Sequence, residues 1–105
     1  MTRIHFHEDF YEPIRRGEKT QTARLDEPVY PLGDAVADFS DGRSLPIQIT
    51  KVSCKCFRNV SPEEVRKDGF ESKEELWGVL QGFYPNIQDS DFLMLVEFRC
   101  TTNDK

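Results

Sequence analysis

No stretch of this chain is apolar for long enough to cross a membrane. Its opening, "MTRIHFHEDF", lacks an apolar run of leader length. A membrane partner is therefore not expected. Cysteine is scarce: Cys54, Cys56 and Cys100 are three, an odd number that cannot close a disulfide framework. Free thiols in a reducing cytoplasm are the simplest reading. The six glycines and six prolines are scattered, and no period repeats. The only low-complexity feature is the polar end "TTNDK", which reads as a frayed terminus. No glycine-rich phosphate loop is present, since "GEKT" lacks the upstream glycine of a P-loop. Positive charge is not in excess either: the net charge is −5. Residues 1–60 balance nine cations against nine acids, and residues 61–105 hold five against ten. That balance argues against a face that grips duplex nucleic acid through its phosphates. A pocket for one nucleotide stays open to it, because a few local cations can dominate inside a cleft.

What is present suits one domain over residues 1–105. The length allows a single core, and eight Phe, three Tyr and one Trp supply its bulk. "RIHFH" reads as a first strand. Phe6, Phe10 and Ile14 recur at four-residue spacing with Tyr11 beside them, which predicts a short helix over about His7–Arg16. Gly17 stands where a C′ glycine would end it. "KTQTARL" alternates and predicts a strand, with Lys19, Gln21 and Ala23 on one face and Thr20, Thr22 and Arg24 on the other. A Pro-broken loop precedes two antiparallel strands, about Asp34–Phe39 and Leu45–Phe57, joined by a turn at Asp41-Gly42. Ser61, Pro62 and Glu64 spell a capping box and helix start that runs to Gly69. Ser72 and Glu75 repeat the signal before a stripe of Leu76, Val79, Leu80 and Phe83. "DFLMLVEFRCT", nearly apolar throughout, predicts a strand flanked on both sides. The order points to an α+β domain built on a small, curled antiparallel sheet or barrel.

Chemistry concentrates in "GEKTQTAR", Gly17 to Arg24. Thr22 and Arg24 share a strand face, and Lys19 stands at the strand's entry, able to curl towards them. A lysine desolvated at a barrel mouth has a lowered pKa and can serve as base or nucleophile. Arg24 could clamp a carboxylate, phosphate or carbonyl. A threonine hydroxyl can attack a carbonyl or donate to one. The same residues also suit a plain solvated strand. The run holds no serine, and no histidine lies near Thr22 in sequence, so a serine-hydrolase-like triad has no support. His5 with His7 and Cys54 with Cys56 could in principle hold zinc. Structural zinc sites favour C-x-x-C turns, and these pairs lie inside predicted strands, so they read as ordinary strand residues. Glu63, Glu64 and Glu75 read as capping residues and solvated helix face. No cofactor or metal is expected.

"GEKTQTAR" also matches the G-x-K-x-x-[ET]-x-R pattern of the ASCH domain family. "PLGD" (Pro31–Asp34), "DGFESKEELWGVLQGFYP" (Asp68–Pro85) and "LMLVEFRC" (Leu93–Cys100) resemble further segments of that family in order, over nearly the whole chain. The resemblance implies a PUA-like antiparallel β-barrel with short flanking helices, associated with RNA. One subgroup, the bacterial N(4)-acetylcytidine amidohydrolases, has about this length and a threonine in the motif. The resemblance implies catalytic roles for Lys19 and Thr22 and for an acid. The acid is Asp68 in "DGF", where the subgroup has "EGF", with Glu71 nearby as substitute. Asp68 would orient Lys19, and Arg24 would hold the carbonyl oxygen or the pyrimidine O2. Thr22 is left open between nucleophile and polariser. For a flat base, Phe6, Phe39, Phe70, Trp77 and Tyr84 are the stacking candidates. Phe70 follows the loop glycine, and Phe6 also suits the core face shared with Phe10 and Ile14. The expected partner is a nucleoside or single-stranded RNA, bound by a monomer or weak dimer. Other ASCH members look like ribonucleases or plain RNA-binding modules, so a binding module and, behind it, a ribonuclease stand as alternatives.

Overall fold

A computed structural model describes residues 1–101; of the polar end "TTNDK", residues 102–105 lie outside it. The strands are β1 (Thr2–Phe6), β2 (Gln21–Arg24), β3 (Gly33–Phe39), β4 (Ser44–Cys56) and β5 (Phe92–Cys100). The helices are α1 (Tyr11–Arg15), α2 (Pro62–Lys67) and α3 (Lys73–Phe83). One sheet takes the order β1-β3-β4-β5-β2. It curls into a half-barrel, so the α+β, barrel-like expectation holds.

The pairing differs from a purely antiparallel sheet in one place. β1 runs parallel to β3, in the register Ile4↔Ala37, while the remaining pairs are antiparallel. Parallel neighbours need a long crossover. Here the chain leaves β1, forms α1, lays β2 on the opposite edge and only then returns as β3 beside β1. The helix expected over His7–Arg16 is shorter, because Glu8–Phe10 form a 3₁₀ turn and α1 starts at Tyr11. The His7 side chain, Nδ1, accepts from the Asp9 N–H at that turn instead of extending β1.

β5 explains its own composition. It is flanked by β4 and β2 and divides two cores. Met94, Val96 and Phe98 face the first, with Ile4, Phe6, Ile14, Phe39, Ile47 and Ile49. Leu93 and Leu95 face the second, with Phe57, Val65, Leu76 and Leu80. A strand buried on both faces has no polar side to alternate with. A register irregularity between Ile49 and Lys51 bends the long β4 around it.

Two helix ends matter for the site, and they share one geometry. After α1, the Gly17 N–H donates to the Ile14 carbonyl and the Glu18 N–H to that of Pro13. After α2, the Gly69 N–H donates to Arg66 and the Phe70 N–H to Val65. Both are Schellman caps with glycine at C′, at φ +80° and +96°. The first ends where Lys19 begins, and the second carries Asp68 and Phe70 on either side of its glycine. The Ser61 capping box forms with both reciprocal bonds. At α3 only half of the second box forms: Ser72 Oγ accepts from the Glu75 N–H, while the Glu75 carboxylate accepts from the Glu71 N–H.

Candidate functional site

Lys19 lies in the segment between its Schellman cap and β2. The Thr20 N–H donates to the Lys67 carbonyl at 2.7 Å, which ties this segment to the end of α2. Lys19 is only 2% exposed, and its ammonium is held between the two helix ends. Nζ donates to Asp68 Oδ1 at 2.7 Å and to the Asp68 backbone carbonyl at 2.7 Å. It also stands 4.7 Å from the centre of the Phe10 ring and 5.6 Å from that of Phe70. Gly69 lies against the lysine stem, where a β-carbon would make ordinary contact with the Lys19 Cβ at 3.5 Å; what calls for glycine is its φ of +96°, which L side chains rarely adopt.

Asp68 is as dry as its partner. Its second oxygen, Oδ2, accepts from Gln21 Nε2 at 3.3 Å, and Gln21 also donates to the Glu64 carbonyl at 3.1 Å. Every buried polar side-chain atom among the described residues has a partner. Burial pushes the Lys19 ammonium below the usual lysine range. The charge and hydrogen bond of Asp68 pull it back, and the like charge of Arg24 pushes it further down.

On the neighbouring face of β2, Thr22 and Arg24 open into a cavity of about 580 Å³. Arg24 stands over Phe6, 5.1 Å from the ring centre. Its Nε donates to Thr22 Oγ1 at 3.3 Å and its Nη2 to the His5 carbonyl at 2.7 Å. The last bond joins β2 to β1, the two edges of the curled sheet. Thr22 Oγ1 therefore accepts from a cation, and its own proton is available to donate elsewhere. Asp68, Phe10 and Phe70 also line the cavity, so the Lys19 pair meets it through these three side chains.

The expected residues separate cleanly. Lys19 and Asp68 meet, and Thr22, Arg24, Phe6, Phe70 and Asp68 line one cavity with His5, His7, Phe39 and Tyr84. Glu71 does not line it: its side chain is exposed beside α3. Trp77 packs on Phe57, ring centres 4.5 Å apart, at the rim of a separate shallow hollow. The stripe expected on α3 splits: Leu76 and Leu80 are buried, whereas Val79 is half-buried and Phe83 exposed at the cavity wall. Two residues that bound the site, Gln21 and Phe10, carried a signal in the alternation of "KTQTAR" and in the four-residue spacing around α1. Glu27 and Tyr30, described below, carried none. Among the described residues, no group of three or more His, Cys, Asp or Glu is gathered as a metal site, and no helix is long and apolar enough to cross a membrane.

The ASCH domain matches residues 2–101. An ASCH domain from Lactobacillus crispatus JV V101 superposes with a TM-score of 0.76 at 20% identity, covering 94% of this chain and 78% of that one. The hypothetical protein PH0355 gives 0.71 at 19% identity, over 93% and 96%. Protein EF3133 from Enterococcus faecalis V583, of DUF984, gives 0.66 at 16% identity, over 90% and 72%. At these identities the likeness speaks for the fold. No curated protein matches the chain.

Proposed function

The chain belongs to the ASCH domain family, with its PUA-like fold, and on that footing we propose that it is a small amidohydrolase. Its substrate would be N(4)-acetylcytidine or a related acylated pyrimidine nucleoside. The observation that carries this reading is the dry Lys19–Asp68 pair set behind a cavity lined by Thr22, Arg24 and several aromatic rings. A volume of about 580 Å³ suits a nucleoside. Phe70, half-buried at the cavity wall, is the ring placed to stack on a flat base, while Phe6 and Phe39 are buried and stack on each other. A free nucleoside carries no phosphate, so a chain of net charge −5 binds it without repulsion.

The chemistry needs an attacking oxygen, a polarised carbonyl and a proton for the departing N4. Lys19, its pKa lowered by burial, accepts the proton of the attacking hydroxyl, whether that of Thr22 or of water. Asp68 holds Lys19 in place and stabilises its charged form. Arg24, with N–H groups beyond the two used on Thr22 and His5, faces the oxygen that gains charge. The proton on Lys19 then leaves with the amine. With water as the attacking oxygen, acetate leaves directly. With Thr22, the acetyl ester it forms is hydrolysed by a water whose proton passes through Lys19 back to Thr22 Oγ1. Acetate and cytidine are the products on either route.

Incubation with N(4)-acetylcytidine, followed by the ultraviolet change on deacetylation, tests the reading. Turnover that disappears in Lys19→Ala and Thr22→Ala supports it, and no turnover at any pH defeats it. An acetyl ester trapped on Thr22 and seen by mass spectrometry marks Thr22 as the nucleophile. Its absence during turnover marks Thr22 as the polariser.

One observation favours a second reading, a module that binds RNA or a modified base without turning it over. The Lys19 ammonium is already satisfied by two oxygens of Asp68, as a purely structural ion pair would be. Base binding that survives in Lys19→Met and fails in Arg24→Ala, with no hydrolysis, selects that reading. A ribonuclease draws less support, because Arg24 is the only Lys or Arg lining the cavity among the described residues.

A further inference from the structure

The connection from β2 to β3 turns at Asp26, whose φ of 58° is left-handed backbone. The turn brings the Glu27 carboxylate beside Arg24, Oε2 to Nη1 3.9 Å. Two phenols donate to that carboxylate: Tyr30 to Oε1 at 2.6 Å and Tyr84, at the end of α3, to Oε2 at 3.2 Å. Tyr30 packs against the first core and Tyr84 against the second. Arg24 and Tyr84 line the cavity, whereas Glu27 and Tyr30 stand behind them. One carboxylate thus ties together the two halves of the molecule at the cavity mouth.

The donors are well defined. Burial, reinforced by Glu27, pushes the Tyr30 phenol up to about 12, and burial also raises that of Tyr84. Both therefore stay protonated at neutral pH, and Glu27 is their acceptor. Charge-assisted hydrogen bonds of this kind are the stronger ones. Without the carboxylate, the Tyr84 hydroxyl loses its acceptor and Arg24 its counter-charge. The guanidinium then keeps only the His5 carbonyl and the Thr22 hydroxyl.

We propose that Glu27 is the positioning residue of this site, holding Arg24 and Tyr84 in the geometry that receives the edge of the base. The identity of the ligand rests on the nucleoside reading above, while the clasp stands on the bonds just described.

The test uses the full chain with Glu27→Gln, which keeps the shape and removes the charge, and Tyr84→Phe, which keeps the charge and removes one donor. Hydrogen exchange of the Arg24 Nη–H groups, of which Nη1 faces Glu27, followed by NMR, needs no ligand. It is expected to quicken about tenfold in Glu27→Gln and about threefold in Tyr84→Phe. With N(4)-acetylcytidine, KM is expected to rise about tenfold in Glu27→Gln while kcat falls less than about threefold. Wild-type exchange in both variants overturns the proposal. So does a lowered melting temperature with exchange and KM unmoved, which marks a merely structural clasp. Should Glu27→Gln fail to fold, Tyr84→Phe decides by the same exchange measurement. If the native protein turns over no acylated nucleoside, the nucleoside reading fails by itself, and faster Arg24 exchange in the variants still supports the clasp.

Discussion

The two cores of this domain share a strand and differ in completeness. The first, between β1, β3, β4 and one face of β5, is closed: Ile4, Ala37, Ile47 and Val96 have almost no contact with solvent. The second, between the other face of β5 and the helices α2 and α3, is sealed only on one side. Its inner residues, Leu76, Leu80 and Leu95, are buried, but the same helix carries Val79 and Phe83 out to an open cavity. Sheet pairing fills the first core because each strand brings a whole apolar face. The short α3 leaves its side towards the ends of β1 and β3 uncovered, and the site lies there, lined by Phe6 and Phe39 of the first core as well as Leu76 and Leu80 of the second. The lysine buried at that seam follows one Schellman cap, at Gly17, and bonds to the residue just before the glycine of the other, at Gly69.

The sharpest way to break the comparison is to remove charge at the seam. Lys19→Ala strands Asp68 without its cation and is expected to cost about 3–5 kcal/mol in denaturant unfolding. On the amidohydrolase reading it also cuts kcat/KM by about 10²–10⁴-fold. The double variant Lys19→Met/Asp68→Leu should regain most of that stability and none of the turnover, because an apolar pair of similar volume fits a dry site at little cost. Stability recovered together with activity would show that the pair is not part of the chemistry. The pH profile adds to this. A lysine lowered by burial reaches its base form earlier, so kcat/KM should climb with pH and level off below the ordinary lysine range.

Next in size is the shared strand. Leu95→Ala opens a hole in the second core and is expected to cost about 2–5 kcal/mol by urea unfolding. Phe83→Ala, on the same side but at the open wall, should cost under about 0.5 kcal/mol and still weaken nucleoside binding. Equal losses from the two substitutions would erase the distinction between the sealed and the open side of the second core.

The smallest effect concerns α2, which delivers Asp68. Burial opposes ionisation of Glu64, but the Ser61 N–H and Lys55 outweigh it and hold the carboxylate below its usual range. A carboxylate lowered in the fold stabilises at pH above its unfolded value, near 4.5, and that contribution fades as pH falls through the folded value. Glu64→Gln should therefore flatten the acid limb of the stability curve and cost about 1 kcal/mol at neutral pH. An unchanged acid limb would show that the capping box contributes nothing net.

Much of this was legible in the chain itself. Gly17 as a helix stop, the Ser61–Pro62–Glu64 start, the Asp41-Gly42 turn and the doubly buried β5 are all set by neighbours a few residues apart. "KTQTAR" and "DGF" marked the two segments that meet, and Lys19 and Gln21 already shared a face in the alternation. The parallel partner of β1 was not legible, since nothing local in "RIHFH" states which strand lies beside it or in which direction.

Sequence alone determined where elements begin and end and which residue types are concentrated near the site, because capping, turn chemistry and periodicity act over one or two helical turns. Tertiary structure alone decided that Lys19 would be dry and paired with a carboxylate 49 positions away. It likewise decided that Arg24 would bridge the sheet's two edges and that Glu27 would gather two tyrosines from opposite cores. Those pairings depend on how the sheet curls and closes, and loop closure depends so weakly on chain length that no local pattern records which distant residues will meet.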